Sequence, residues 1–235
     1  MLFKSEYNNS VLPRSLSTSI NLLLSLLSKA PQIWGILRTT FREAYLNANY
    51  YQQAFEHLSN ALKLNSTLLS KNEEAKEYHT RILTLLGRCY MEGGNINDAL
   101  ELLEKSLHMN KSILGEDDYS NCSIMIIIAQ VHLKKKMYDE AIQELTIVWK
   151  MSEAKFGAKS EQSASVLVEL GNAYDKKGDY KKAIEYQKEA LDIYRELGSI
   201  DSKVLGPTGI KLAELYEHAN QLEEAIKILR EVKLE

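Results

Sequence analysis

The chain reads as all-α, a solenoid stacked from one repeated helical unit. Three observations predict this. Landmark residues return at a fixed spacing, with alanines at 99, 141, 183 and 225, each 42 residues from the last. The apolar residues between landmarks follow helical periodicity, as in Ala99-x-x-Leu102-Leu103-x-x-x-Leu107. Only three prolines and eleven glycines punctuate 235 residues, and no strand-type alternation stands out. Self-similarity at such a period is the mark of a solenoid, in which each unit buries its apolar face on its neighbours.

Taken in chain order, the units share one grammar. A loose first copy reads Phe41-x-x-x-Tyr45, Tyr51-x-x-Ala54, then Ala61-Leu62. The second runs Leu86-Gly87-x-x-Tyr90, then Gly94-Asn95-Ile96-x-x-Ala99; the third, Ile128-Ala129-x-x-His132, then Met137-Tyr138-x-x-Ala141. The fourth has Leu170-Gly171-x-x-Tyr174, then Gly178-Asp179-Tyr180-x-x-Ala183; the last, Leu212-Ala213-x-x-Tyr216, then Gln221-Leu222-x-x-Ala225. Each landmark has a physical reason. Gly or Ala after the Leu/Ile of one helix, and Ala on the next, let two helix backbones approach closely. The tyrosines fill the volume beside that contact. Gly94 and Gly178 fall where a helix ends in a left-handed residue, the conformation glycine adopts most easily.

This grammar resembles the tetratricopeptide repeat, and within it the 42-residue variety of kinesin light chains. Leu114-Gly115-Glu116-Asp117-Asp118 and Phe156-Gly157 resemble that variety's leucine-glycine, acidic loop. The resemblance implies antiparallel helix pairs wound into a right-handed superhelix. It places an amino-terminal segment at 1–35 and a solenoid at 36–235, with units about 36–80, 81–122, 123–164, 165–206 and 207–235. It also implies a concave groove lined by the first helix of each pair, where partners lie as peptides or helices. In register, the groove is expected to hold Leu85, Arg88, Met91, Ile126, Ile127, Gln130, Leu133, Glu169 and Asn172.

Two family grips are missing. A chaperone-type clamp needs lysine where Val168 stands beside Asn172, and the Asn-Asn pair of kinesin light chains is Thr84-Leu85, Ile126-Ile127, Val168-Glu169 and Ile210-Lys211 here. What stands instead is apolar: Ser123-Ile124-Met125-Ile126-Ile127-Ile128-Ala129 is hydrophobic all round, more than one helix pair can bury internally. It suits the apolar face of a partner helix, unless neighbouring units or the amino-terminal helix cover it. At the carboxyl end, Leu222, Ile226, Leu229 and Val232 form a second docking candidate.

Composition narrows the function. A net charge of −3 does not recommend nucleic acid as a partner. Two cysteines, Cys89 and Cys122, make no disulfide framework, so a reducing compartment is expected. Lys134-Lys135-Lys136 and Lys176-Lys177 read as solvated helix ends beside a negative dipole. No phosphate-binding glycine loop, nucleophile elbow, His-Glu-x-x-His or Cys-x-x-Cys occurs, so neither catalysis, cofactor nor metal is expected. The histidines are scattered: His132 takes a tyrosine's place in the core, His57 and His108 lie on second helices, His79 in a loop, and His218 near the end of a first helix.

Residues 1–42 carry five basic side chains against one acid, leaving 24 bases and 31 acids in the rest. Within them SLSTSINLLLSLLSKA places Leu16, Ile20, Leu23, Leu24 and Leu27 on one helical face, too short and interrupted to span a membrane. It reads either as a helix capping the first repeat or as a mitochondrial targeting segment. The expected function is therefore a non-enzymatic scaffold, adaptor or assembly factor, a cytoplasmic subunit of a larger complex holding a protein partner. The alternatives are a structural component of a cytoskeletal or ciliary assembly and a mitochondrial assembly factor. Ala141→Leu is expected to force the third helix pair apart and lower the unfolding free energy by about 1–3 kcal/mol. Urea denaturation monitored by circular dichroism checks it.

Overall fold

A computed structural model describes residues 73–198 and 202–234, with positions 58, 59 and 62 before them. The chain divides into two compact units, Met1–Ala54 and Phe55–Glu235, and every described residue belongs to the second. The amino-terminal segment and most of the loose first copy lie outside the described residues.

Eight helices, and no strand, occur among the described residues: α1 (Glu73–Glu92), α2 (Ile96–Leu114), α3 (Ser120–Lys134), α4 (Tyr138–Phe156), α5 (Glu161–Lys177), α6 (Tyr180–Glu196), α7 (Ser202–His218) and α8 (Leu222–Leu234). They pack as antiparallel pairs, α1 on α2, α3 on α4, α5 on α6 and α7 on α8, and each pair leans on the next. The architecture is the right-handed superhelical solenoid expected from the sequence. Helices run unbroken across positions 81, 123, 165 and 207, so each pair starts earlier than those register boundaries.

Small residues set the helix spacing. Ala99, Ala141 and Ala183 are fully buried and Ala225 nearly so, each at the start of a second helix where it meets the first. Leu103 and Leu145 pack one turn on, also fully buried. Between pairs, Met91, Ile124, Ile128 and Val131 join α1 to α3, while Leu167, Leu170, Leu191 and Leu212 carry the core from α5 through α6 to α7. Cys89 is buried.

Two loop types alternate. The short turn inside each pair has one left-handed residue: Gly94 (φ 86°), Lys136 (62°), Gly178 (85°) and Asn220 (61°), again 42 apart. A nitrogen one residue on bonds back into the helix, as Asn95 N to Tyr90 O (2.8 Å), Met137 N to His132 O (2.9 Å) and Asp179 N to Tyr174 O (3.0 Å). The longer turn between pairs follows Gly115 (φ 102°, ψ 160°) and Gly157 (φ 88°, ψ 158°), in a region open essentially to glycine alone. The next helix closes it: Asn121 Nδ2 donates to Gly115 O (2.9 Å) and Ser163 Oγ to Gly157 O (2.8 Å). Asp118 and Ser160 cap that helix through the backbone N–H groups of Ser120 and Ser163. The leucine-glycine, acidic signature is thus a turn built to restart the repeat.

His79 does not lie in a loop. It is buried inside α1, because that helix begins a full two turns before the register boundary at 81. Lys136 carries the strain that glycine avoids at 94 and 178. Lys136→Gly is expected to raise the unfolding free energy by about 1 kcal/mol, read as a higher urea midpoint at unchanged slope.

Candidate functional site

The repeat register assigns the inner face of the superhelix to the first helices α1, α3, α5 and α7. A helix advances about 100° per residue, and this decides which side chains stay open. The small residues at 87, 129, 171 and 213 face the partner helix of their own pair. Positions 85, 127, 169 and 211 point about 160° away from that contact, and positions 88, 130, 172 and 214 about 100° away. Leu85, Arg88, Ile127, Gln130, Glu169, Asn172 and Lys211 are indeed half-buried, and Glu214 is exposed. Positions 91 and 133 lie only about 40° from the pairing contact.

That last angle corrects two expected groove residues. Met91 is 2% exposed and belongs to the α1–α3 core, and Leu133 is 9% exposed within the central core. Neither lines the groove. Ile126, at about 60°, is half-buried and packs sideways against the core that holds Val148 and Val166. In the same column as Met91 and Leu133 the fourth unit has Asp175, 15% exposed, closed by Lys211 Nζ at 2.9 Å and His218 Nδ1 at 3.4 Å.

The inner stripe changes character along the solenoid. Over α1 and α3 it carries Leu85 and Ile127, flanked by Arg88 and Gln130, and Ile127 also packs against the α1–α3 core. Over α5 the same column becomes Glu169. Burial pushes its carboxyl above the usual range, and an amide donated by Asn172 pulls the other way. Asn172 is itself held from behind. Gln187 Nε2, on α6, donates to Asn172 Oδ1 (3.2 Å) and to Val168 O (3.1 Å).

Gln187 is fully buried, in the column that has Leu103 and Leu145 in the two preceding units. Its Oε1 has no partner among the described residues. Gly171 makes room for it: a Cβ there would stand 2.7 Å from Gln187 Cγ. The sequence signals this relay as a glutamine breaking a leucine column, but the column becomes visible only once the second-helix contact is aligned.

The carboxyl-end face is open among the described residues. Leu222, Ile226 and Leu229 are 58%, 51% and 46% exposed, and the side chain of Val232 lies outside them. The equivalents of Ile226 in earlier units, Leu100, Ile142 and Ile184, pack in clusters that include the following first helix. The basic turns are partly neutralised: Lys134 pairs with Glu92 (3.3 Å) and Lys177 with Asp139 (2.5 Å). Burial pushes the Cys89 and Cys122 thiols up to about 11, leaving both protonated at neutral pH. No helix among the described residues is long and apolar enough to cross a membrane, and no three metal-binding side chains gather there.

Paired helices of 42-residue period, stacked with their small residues inward and one side-chain stripe left open, define an α-solenoid of the protein-binding class. Tetratricopeptide repeat models match residues 80–119, and 122–196 with 162–233; the chain belongs to the tetratricopeptide repeat family. Its relatives include tetratricopeptide repeat protein 23-like of Mus musculus, 28% identical over 81% of this chain and 43% of that protein. A clustered mitochondria protein homolog of Ajellomyces capsulatus is 27% identical over 77% of this chain and 15% of its own length. The chain thus spans less than half of these relatives. BtubC (BKLC) from P. vanneervenii superposes with a TM-score of 0.77 at 22% identity, covering 94% of this chain and 87% of that one. A putative kinesin light chain from Podosopora anserina gives 0.70 at 19%, covering 88% and 96%. These likenesses are of fold. Repeats of this family typically mediate contacts between proteins.

Gln187→Leu is expected to raise the unfolding free energy by about 1 kcal/mol, since it removes an unpartnered buried carbonyl. A thermal melt beside the parent chain tests the sign.

Proposed function

We propose that this chain is a non-enzymatic scaffold that holds a protein partner, a helix or peptide with an apolar face, along its inner stripe. The observation that carries this is the row Leu85–Ile127, apolar and half-buried, at positions where the fourth and fifth units have Glu169 and Lys211. Residues that face the inner side need not be apolar for folding, because later units fold with charges there. Ile127 gives part of its surface to the α1–α3 cluster of Met91, Ile124, Ile128 and Val131; what the Leu85–Ile127 row leaves open serves contact with something outside the helix pairs. The carboxyl-end face of Leu222, Ile226 and Leu229 offers a second seat for a helix, shaped like the seat each earlier unit gives its successor.

Ile127→Glu separates binding from folding, since it imports the side chain that the next unit carries in the same column. The variant is expected to keep its helical content and melting temperature within a few degrees, and to lose the partners that co-purify with the tagged parent chain. Quantitative mass spectrometry of both preparations reads this. An unchanged partner set with Ile127→Glu, lost instead with Ile226→Glu, moves binding to the carboxyl-end face and removes the inner stripe from the proposal.

A further inference from the structure

Glu169 is the inner-stripe acid left without a cation. Among the described residues, no Lys, Arg or His closes an ion pair with it, whereas Lys211 is taken by Asp175 (2.9 Å) and Glu214 (3.3 Å). Asn172, one turn further along α5, favours the charged form of Glu169 against the burial that disfavours it, and most of the carboxylate's acceptor capacity is left for a ligand. A carboxylate half removed from water without a cation is costly unless something completes it. The chain also gives up stability to hold it in place. Gln187, fully buried where leucine fills the column in two other units, fixes Asn172 through Oδ1, and Asn172 then has its Nδ2 to offer Glu169. Gly171 supplies the space. A buried relay ending on an uncompensated carboxylate is the arrangement expected of a preorganised seat.

Resting on the scaffold reading, we infer that the inner stripe recognises a peptide segment carrying an apolar side chain for Ile127 and Leu85 and a lysine or arginine for Glu169. Charge complementarity fixes the occupant. The apolar row and the carboxylate share one column on successive first helices, so the basic residue lies to one side of the apolar anchor along the segment. Arg81 and Arg88 on α1, for which no ion pair is seen among the described residues, repel a second cation at the other end of the groove and so orient the segment with its basic end over α5.

Selection from a phage-displayed library of random peptides tests this, run in parallel against the full chain, Glu169→Gln and Ile127→Glu, each first shown to melt like the parent. Peptides selected on the parent chain are expected to share an apolar anchor with a lysine or arginine to one side of it. Their synthetic forms, followed by fluorescence anisotropy, are expected to lose at least about tenfold in affinity for Glu169→Gln, and the basic preference is expected to vanish from the Glu169→Gln selection while the apolar anchor stays. Peptides that lose affinity with Ile127→Glu but bind Glu169→Gln as tightly as the parent overturn the cation seat and leave the scaffold reading standing. Peptides indifferent to both variants, or no enrichment on any of the three, overturn both.

Discussion

The distance between two helix axes is the constraint on which everything else in this molecule depends. Ala99, Ala141 and Ala183 sit without exposed surface where second helices cross first helices, and the facing positions hold only Gly or Ala. Close backbone approach at that point brings Leu103 and Leu145 into the interface and turns the opposite side of each first helix outward. Because the contact recurs every 42 residues, so does the outward stripe. The outward stripe is thus a by-product of the packing rule, and its chemistry is free to vary as long as the small residues stay.

Architecture is written plainly in the sequence because it is repetitive: any landmark misread in one unit is corrected by the other units. Helix ends are legible for the same reason. Gly94 and Gly178 identify the left-handed turn, and Lys136 and Asn220 follow by alignment although neither residue type demands it. The site is less legible. Register alone finds Leu85, Ile127, Gln130, Glu169 and Asn172, but it also gathers in Met91 and Leu133, whose column lies only about 40° of helical rotation from the buried contact. Hydrophobicity cannot make the distinction, since both columns are apolar in α1 and α3. Asp175, in the same column, shows how a charge is tolerated there, with Lys211 and His218 closing over it.

The polar relay escapes a reading of the sequence, because it departs from the repeat. Gln187, Asn172 and Glu169 lie on two helices and acquire meaning together only when Gly171 lets the amide in. Such departures are where a repeat chain differs from a generic solenoid, and they cost stability that an idealised unit keeps. In the proposed reading the apolar pair over α1 and α3 gives contact area and the fourth unit gives direction, two separate roles in choosing an occupant.

The same glutamine bears on how the chain finds its own structure. Near-identical units invite helices to pair with the wrong neighbour during folding, a recurrent hazard of repeat proteins. Leu103 needs the bare backbone of Gly87, where a Cβ would stand 2.6 Å from its Cγ, whereas Leu145 packs beside Ala129. Gln187 adds a polar requirement to the steric one: beside Gly171 and Asn172 its nitrogen is satisfied twice. Helix α6 therefore carries an address that only α5 matches, and the fourth unit becomes a fixed register mark from which the units on either side can be counted into place.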